Sequence, residues 1–160
     1  MVELVEVDVL IEIHALAGIL SIFAFFLIII EFLTPTENAI KKIKIFSLLG
    51  TFLIFVSWVV GGYYYVTYYG DDVKPAIKES SEPWIHSVGM ETKEHIFLFL
   101  PFLAILVTSL IFNYDINLLK NEQAKNSVLM LCTLIILLDL TVAGMGFLIS
   151  AGARAAGVGG

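Results

Sequence analysis

Three histidines, His14, His86 and His95, are the residues best equipped for chemistry in this chain. His95 closes the stretch METKEH, in which Glu91, Lys93 and Glu94 crowd into about one helical turn before an almost wholly apolar run begins. A histidine among carboxylates at such an edge can hold a metal, move a proton or ligate haem iron. Glu91, one turn ahead of His95, has two readings. Its charge suits a helix N-terminus; alternatively its carboxylate accepts the His95 ring N–H, fixing the tautomer and making the other nitrogen a better ligand. On a helix His95 also shares its face with Leu98, Phe99 and Phe102.

His14 sits in the first apolar run, on a face shared with Leu10, Ala17, Gly18 and Ser21. Small residues there let a neighbouring helix approach closely, with the histidine hydrogen-bonded across the contact. They equally leave room for a flat cofactor beside an imidazole. Two neutral imidazoles from two helices, His14 and His95, would ligate one haem b near a membrane surface, with Gly18, Phe99 and Phe102 as its apolar neighbours. The rival ligand is a metal ion held by His14, His95 and His86, with oxygen from Glu91, Glu94 or Glu12 for manganese or iron, or a mixed set for zinc.

Asp139 stands alone in LIILLDLTVAG. A charge at mid-bilayer costs several kcal/mol unless paired or neutralised. The reading is a protonated Asp139, hydrogen-bonded to Ser57, Ser109 or Ser21 on a facing helix, as a proton relay or as a pin for the bundle.

The elements that must position these residues follow from hydropathy. Four apolar stretches, about 8–33, 45–65, 95–112 and 127–150, are each long enough to cross a bilayer, which takes roughly 20 residues of helix. Lipid leaves no water to satisfy the backbone, so each is a helix, and Pro101 falls inside the third. The 160 residues are 59% hydrophobic and only 15% charged, which fits an integral membrane protein rather than a soluble domain. The acidic start MVELVEVDVL lacks a basic signal region and a cleavage site, so the first helix is expected to be retained. The expected fold is all-α: an up-down four-helix transmembrane bundle over 1–150, with a flexible Gly/Ala-rich tail at 151–160.

Four spans put both termini on one face, together with a long connection over 70–94 and all three histidines. The opposite face carries Lys41, Lys42, Lys44, Lys120 and Lys125, against Lys74, Lys78, Lys93 and Arg154 on the histidine face. The density of KKIK marks that opposite face as cytoplasmic. Localisation is then expected in the plasma membrane, with both termini outside and an extracytoplasmic loop between helices 2 and 3. The histidine face is also acidic, with Glu3, Glu6, Asp8, Glu12, Asp71, Asp72, Glu79, Glu82, Glu91 and Glu94. That suits a basic soluble electron carrier. Five tyrosines in GGYYYVTYYG, with Trp84, form an aromatic belt there or a set of hydrogen-bonding groups for a quinone. Pro75 and Pro83 break the long connection, while Ile77, Trp84 and Ile85 can fold it onto the bundle and bring His86 over its end.

Several classes are excluded. One cysteine, Cys132, allows neither an intramolecular disulfide nor a CxxCH or cysteine-ligated cluster. One short basic cluster does not make a nucleic-acid surface. The layout, with two helix-borne histidines near one surface of a four-helix bundle, resembles that of small b-type cytochromes, without their usual pattern of histidines paired across both faces. The resemblance implies a small membrane electron-transfer protein with one haem b between His14 and His95, exchanging electrons with a quinone or a soluble carrier. The alternatives are a cofactor-free accessory subunit of a larger membrane complex, and a metal- or ion-handling protein using His14, His95, Glu91 and Asp139.

Overall fold

With no water in a bilayer core, each apolar run must satisfy its backbone within itself, and here all of them close as helices. The structure, a computed structural model, describes residues 2–158, and side chains from residue 7 onward. The carboxylates of Glu3 and Glu6, and residues Gly159 and Gly160 of the expected tail, lie outside the described residues. The long helices are α1 (Val2–Leu33), α2 (Ala39–Tyr64), α4 (Glu91–Tyr114) and α5 (Glu122–Ala155), with a short α3 (Lys74–Glu79) between the middle pair. Among the described residues there is no strand. Four helical runs, Val7–Leu33, Ala39–Glu79, Ile85–Leu119 and Glu122–Ala155, are long and apolar enough to span a membrane. The chain is an integral membrane protein on that ground.

Local chemistry sets the helix ends. α1 stops at Thr34-Pro35, because the residue before a proline is driven out of the helical region; Thr34 folds its N–H (2.8 Å) and its hydroxyl (3.0 Å) back onto the Ile30 carbonyl. Asn121 caps α5, its side chain accepting the Ala124 N–H at 3.0 Å. Residues 151–155, expected to belong to a flexible tail, continue α5 instead. Ala and Arg are strong helix formers, and the stop comes later, at Gly157, whose φ of +79° suits a left-handed cap. Val158 N–H reaches Ala153 O at 3.0 Å and Gly157 N–H reaches Arg154 O at 3.1 Å, closing the cap.

The largest difference from the sequence expectation is the connection over 70–94. It is a helical hairpin. α2 passes into a π-helical stretch, Tyr65–Val73, and on into α3. Only residues 80–83 interrupt the helix before a second π-helical stretch, Ile85–Met90, leads into α4. Pro75 does not break the chain because it falls in the first turn of α3, where its missing N–H is tolerated. His95 therefore lies ten residues inside the third span, which begins at Ile85.

α1 packs on α2 and α5, and α4 packs on the same two helices. Side chains give the directions. Gly61 meets His14 and Gly50 meets Phe25, so α1 and α2 run antiparallel. Thr51 bonds Thr108 at 2.8 Å while Thr108 reaches Ser47 O at 3.2 Å, and Gly146 meets Lys93 while Gly152 meets Ile85. The core below Asp139 is sealed by Phe25, Ile28, Leu100, Val107, Val128, Cys132 and Ile135, none of which shows measurable exposure. The opposite end of α1 and α2 is tied by Glu31, which accepts from Thr36 (2.8 Å) and Lys42 (3.0 Å).

Gly50 tests the α1–α2 contact. A Cβ there would fall 2.9 Å from Phe25 Cε2 and 3.2 Å from two further ring atoms. Phe25 is fully buried and has no room to retreat. Gly50→Ala is expected to cost about 1–3 kcal/mol through overpacking, read as earlier unfolding in detergent. Gly62, whose Cβ would meet nothing within 4 Å, is the matched control.

Candidate functional site

At the end of the bundle remote from that sealed core, the four long helices part around a cavity of about 950 Å³. It follows α5 from Asp139 to Arg154, about 22 Å of helix. This volume lies at the upper end for small-molecule and cofactor sites. Ile19, Val59, Leu98 and Phe147 on its wall are 47–70% exposed, so the cavity opens at the outer surface of the helices.

His14 is the most constrained polar group on this wall. Its Nδ1 lies 2.9 Å from Ser57 O and 3.0 Å from Ser57 Oγ, while Ser57 Oγ donates to His14 O at 3.0 Å. A carbonyl can only accept, so Nδ1 carries the proton and Nε2 keeps its lone pair. Nε2 has no hydrogen-bond partner among the described residues. The ring stands edge-on to Phe97, with centroids 5.4 Å apart, and its other side is pressed to α2, where a Cβ on Gly61 would come within 2.5 Å of Nδ1. Only glycine at position 61 admits the ring in this place. A histidine whose Nδ1–H is anchored on a backbone carbonyl, with Nε2 free, is the arrangement that orients an imidazole as a ligand.

The other polar groups of the cavity come from α4 and α5. Lys93 reaches across to α5, its Nζ 3.4 Å from where a Cβ on Gly146 would stand, and it makes no ion pair among the described residues. Glu94 also lines the cavity, with Oε1 buried and without a partner. Asp139 closes the deep end, 7% exposed, accepting from Ser21 Oγ at 2.9 Å. Tyr64, Tyr65 and Tyr69 line the opposite end.

Of the residues singled out from the sequence, the cavity gathers His14, Gly18, Ser57, Glu94 and Asp139, with Tyr64, Tyr65 and Tyr69 of the five tyrosines. It does not gather His95, Glu91, Phe99, Phe102 or Glu12, all of which are exposed. His95 lies two residues before Phe97, which places it about 160° round α4 from the face that meets His14. Its Nδ1–H goes at 2.6 Å to the backbone carbonyl of Glu91, not to the Glu91 carboxylate. Phe99 and Phe102 are 53% and 68% exposed. His86 is buried under the helical hairpin against Tyr69 and is not on the cavity wall. No group of three or more His, Cys, Asp or Glu side chains is arranged to hold one metal ion among the described residues.

Gly61, Lys93 and Phe97 were not read as site residues, and Ser57 was expected only as a partner for Asp139, whereas it bonds His14. The signal for Ser57 and Gly61 was present. Gly50, Ile54, Ser57 and Gly61 recur at spacings of four, three and four along α2, a small-residue face opposite the His14 face of α1. No family model, no curated protein and no solved structure matches the chain.

Proposed function

We propose that this protein is a small membrane haem protein of electron transfer, holding one haem b in the cavity through His14 Nε2. The observation that carries the reading is the anchored tautomer of His14, with its lone-pair nitrogen unclaimed beside a cavity of about 950 Å³. Phe97 and the apolar wall suit the porphyrin plane, and lateral openings suit a hydrophobic group entering from lipid. Lys93 supplies a cation for a propionate, a direct ion pair that it does not make with any described residue. His95 has no part in this reading, since it stands on the far side of α4. Asp139, beneath the cavity, serves as a proton relay or as the pin that joins α5 to Ser21 of α1.

In this reading the helices form an up-down bundle as a single domain over 1–150. The lysine-rich end is cytoplasmic, and the cavity, the hairpin and both termini lie outside the plasma membrane. A quinone from the bilayer or a basic soluble carrier at the acidic face would exchange electrons there.

Haem titration into detergent-purified apoprotein tests the reading. One haem per chain is expected, with none bound specifically by His14→Ala. Lys93→Met should keep the stoichiometry and raise the haem dissociation constant about tenfold, the loss of one propionate contact worth about 1.4 kcal/mol. An unchanged constant would remove Lys93 from the site. A second reading draws on the 2.5 Å approach at Gly61: His14 is then a packing clasp between α1 and α2 in a cofactor-free subunit of a larger complex. Under that reading apoprotein takes up no stoichiometric haem.

A further inference from the structure

Behind the cavity wall lies a second polar site. Tyr69 and His86 are both almost wholly buried, at 0% and 1% exposure, and the Tyr69 hydroxyl meets His86 Nδ1 at 2.9 Å. The two rings lie 5.8 Å apart. His86 Nε2 is buried and has no partner. An orphaned ring nitrogen in a core is costly, and an apolar residue would fill the same space without that penalty. Glu94 Oε1, on the cavity wall, is the only other buried orphan among the described side chains.

Backbone geometry singles out the same two residues. Tyr69 lies in the π-helical stretch Tyr65–Val73 and His86 in the π-helical stretch Ile85–Met90. Such turns are rare and recur at functional sites. The pair also lies between the cavity, which it reaches through Tyr69, and the surface of the hairpin. Tyr69 lines the cavity, whereas His86 is followed directly by the exposed Ser87 and Val88.

We propose that Tyr69 and His86 form a proton relay between the water at the hairpin face and the cavity, with Glu94 as the cavity-side acceptor. In the forward step the Tyr69 O–H bond breaks and its proton passes to Glu94 or to a reduced ligand. The phenolate takes the Nδ1 proton of His86, and Nε2 then binds a proton from water. The imidazole changes tautomer and is reset by rotation or by the reverse transfer, so protons balance and no oxidant is needed. The charged groups whose fields reach His86 are Lys74 and Lys78 on α3 and Glu91 and Glu94 on α4. The relay serves one face only, because the core below Asp139 is sealed.

Only the identity of the cavity ligand depends on the haem reading, so the relay is tested first without it. In detergent-purified protein labelled with ¹⁵N-histidine, His86 is expected to exchange its ring protons with solvent between about pH 5 and pH 8. Its tautomer preference should be lost in Tyr69→Phe. A His86 ring that stays neutral, fixed in one tautomer and unexchanged throughout would overturn the proposal and leave a sealed structural pair. With haem bound, Tyr69→Phe and His86→Gln should each slow proton uptake on reduction about tenfold while the spectrum is retained. Unchanged uptake in both variants would equally overturn it. Failure of the haem reading alone appears as a featureless optical spectrum and leaves the histidine resonances to decide.

Discussion

His14→Ala is expected to abolish specific haem binding while the four helices remain folded. The structural cost is limited, because Ser57 Oγ bonds the His14 backbone carbonyl, which alanine keeps. What is lost is the Nδ1 bond to Ser57 O and the edge-on contact with Phe97. Polar contacts between membrane helices average about 0.6 kcal/mol, and an aromatic pair adds about 0.5–1.5 kcal/mol. The sum, about 1–2 kcal/mol, is small beside the stability of a sealed core. The effect on haem is of another order. Loss of a group that merely orients a metal ligand costs about 10–100-fold in affinity, and loss of the ligand itself should exceed that. Unfolding in detergent and haem titration, measured on one preparation, separate the two effects.

Gly61→Ala is the sharper variant, because it keeps the histidine and removes its place. The new Cβ would lie 2.5 Å from Nδ1 and 2.7 Å from Cε1. α1 and α2 are held together at this level through Ser57, so the imidazole must swing out of contact with Ser57 O. It then loses the bond that fixes its tautomer and aims Nε2. Haem affinity should fall about 10–100-fold with His14 still present. Gly144→Ala, on α5 with open space around its Cβ and off the cavity wall, should leave affinity unchanged. If His14 is only a packing clasp, Gly61→Ala alters stability and nothing else. Equal haem binding by the Gly61 and Gly144 variants would contradict the account of the site.

The membrane spans were legible in the sequence because a bilayer leaves the backbone only one solution, and the apolar runs are long enough to need it. The face of α1 was legible too: Ala17, Gly18 and Ser21 turn inward with His14 as a 3.6-residue period requires. So was the burial of Asp139 against Ser21, one of the partners expected for it. The phase of α4 was not. His95 and Phe97 are equally plausible inward residues when the helix is imagined to start at 95. The observed inward face, through Phe97, Leu100, Ala104, Val107 and Ile111, is set by contacts with α2 and α5 that no local pattern encodes.

The hairpin was hidden for a different reason. Gly70, Pro75 and Pro83 read as breakers, yet Pro75 sits harmlessly in a first turn. The π-helical stretches on either side shift every following side chain round the axis, so counting by 3.6 residues cannot place Tyr69 against His86. The glycines of α2 show the converse. Their spacing was visible, but which residue each would admit depends on an antiparallel register between α1 and α2. Only the register sets His14 against Gly61 and Phe25 against Gly50.

The most direct test of the central claim is the visible spectrum of detergent-purified protein from haem-replete cells, recorded oxidised, dithionite-reduced, and reduced under carbon monoxide. Attachment through His14 alone predicts a Soret band at about one haem per chain, moved by carbon monoxide and absent in His14→Ala. A spectrum without a Soret band would contradict the haem account. A reduced spectrum indifferent to carbon monoxide would contradict attachment by a single histidine.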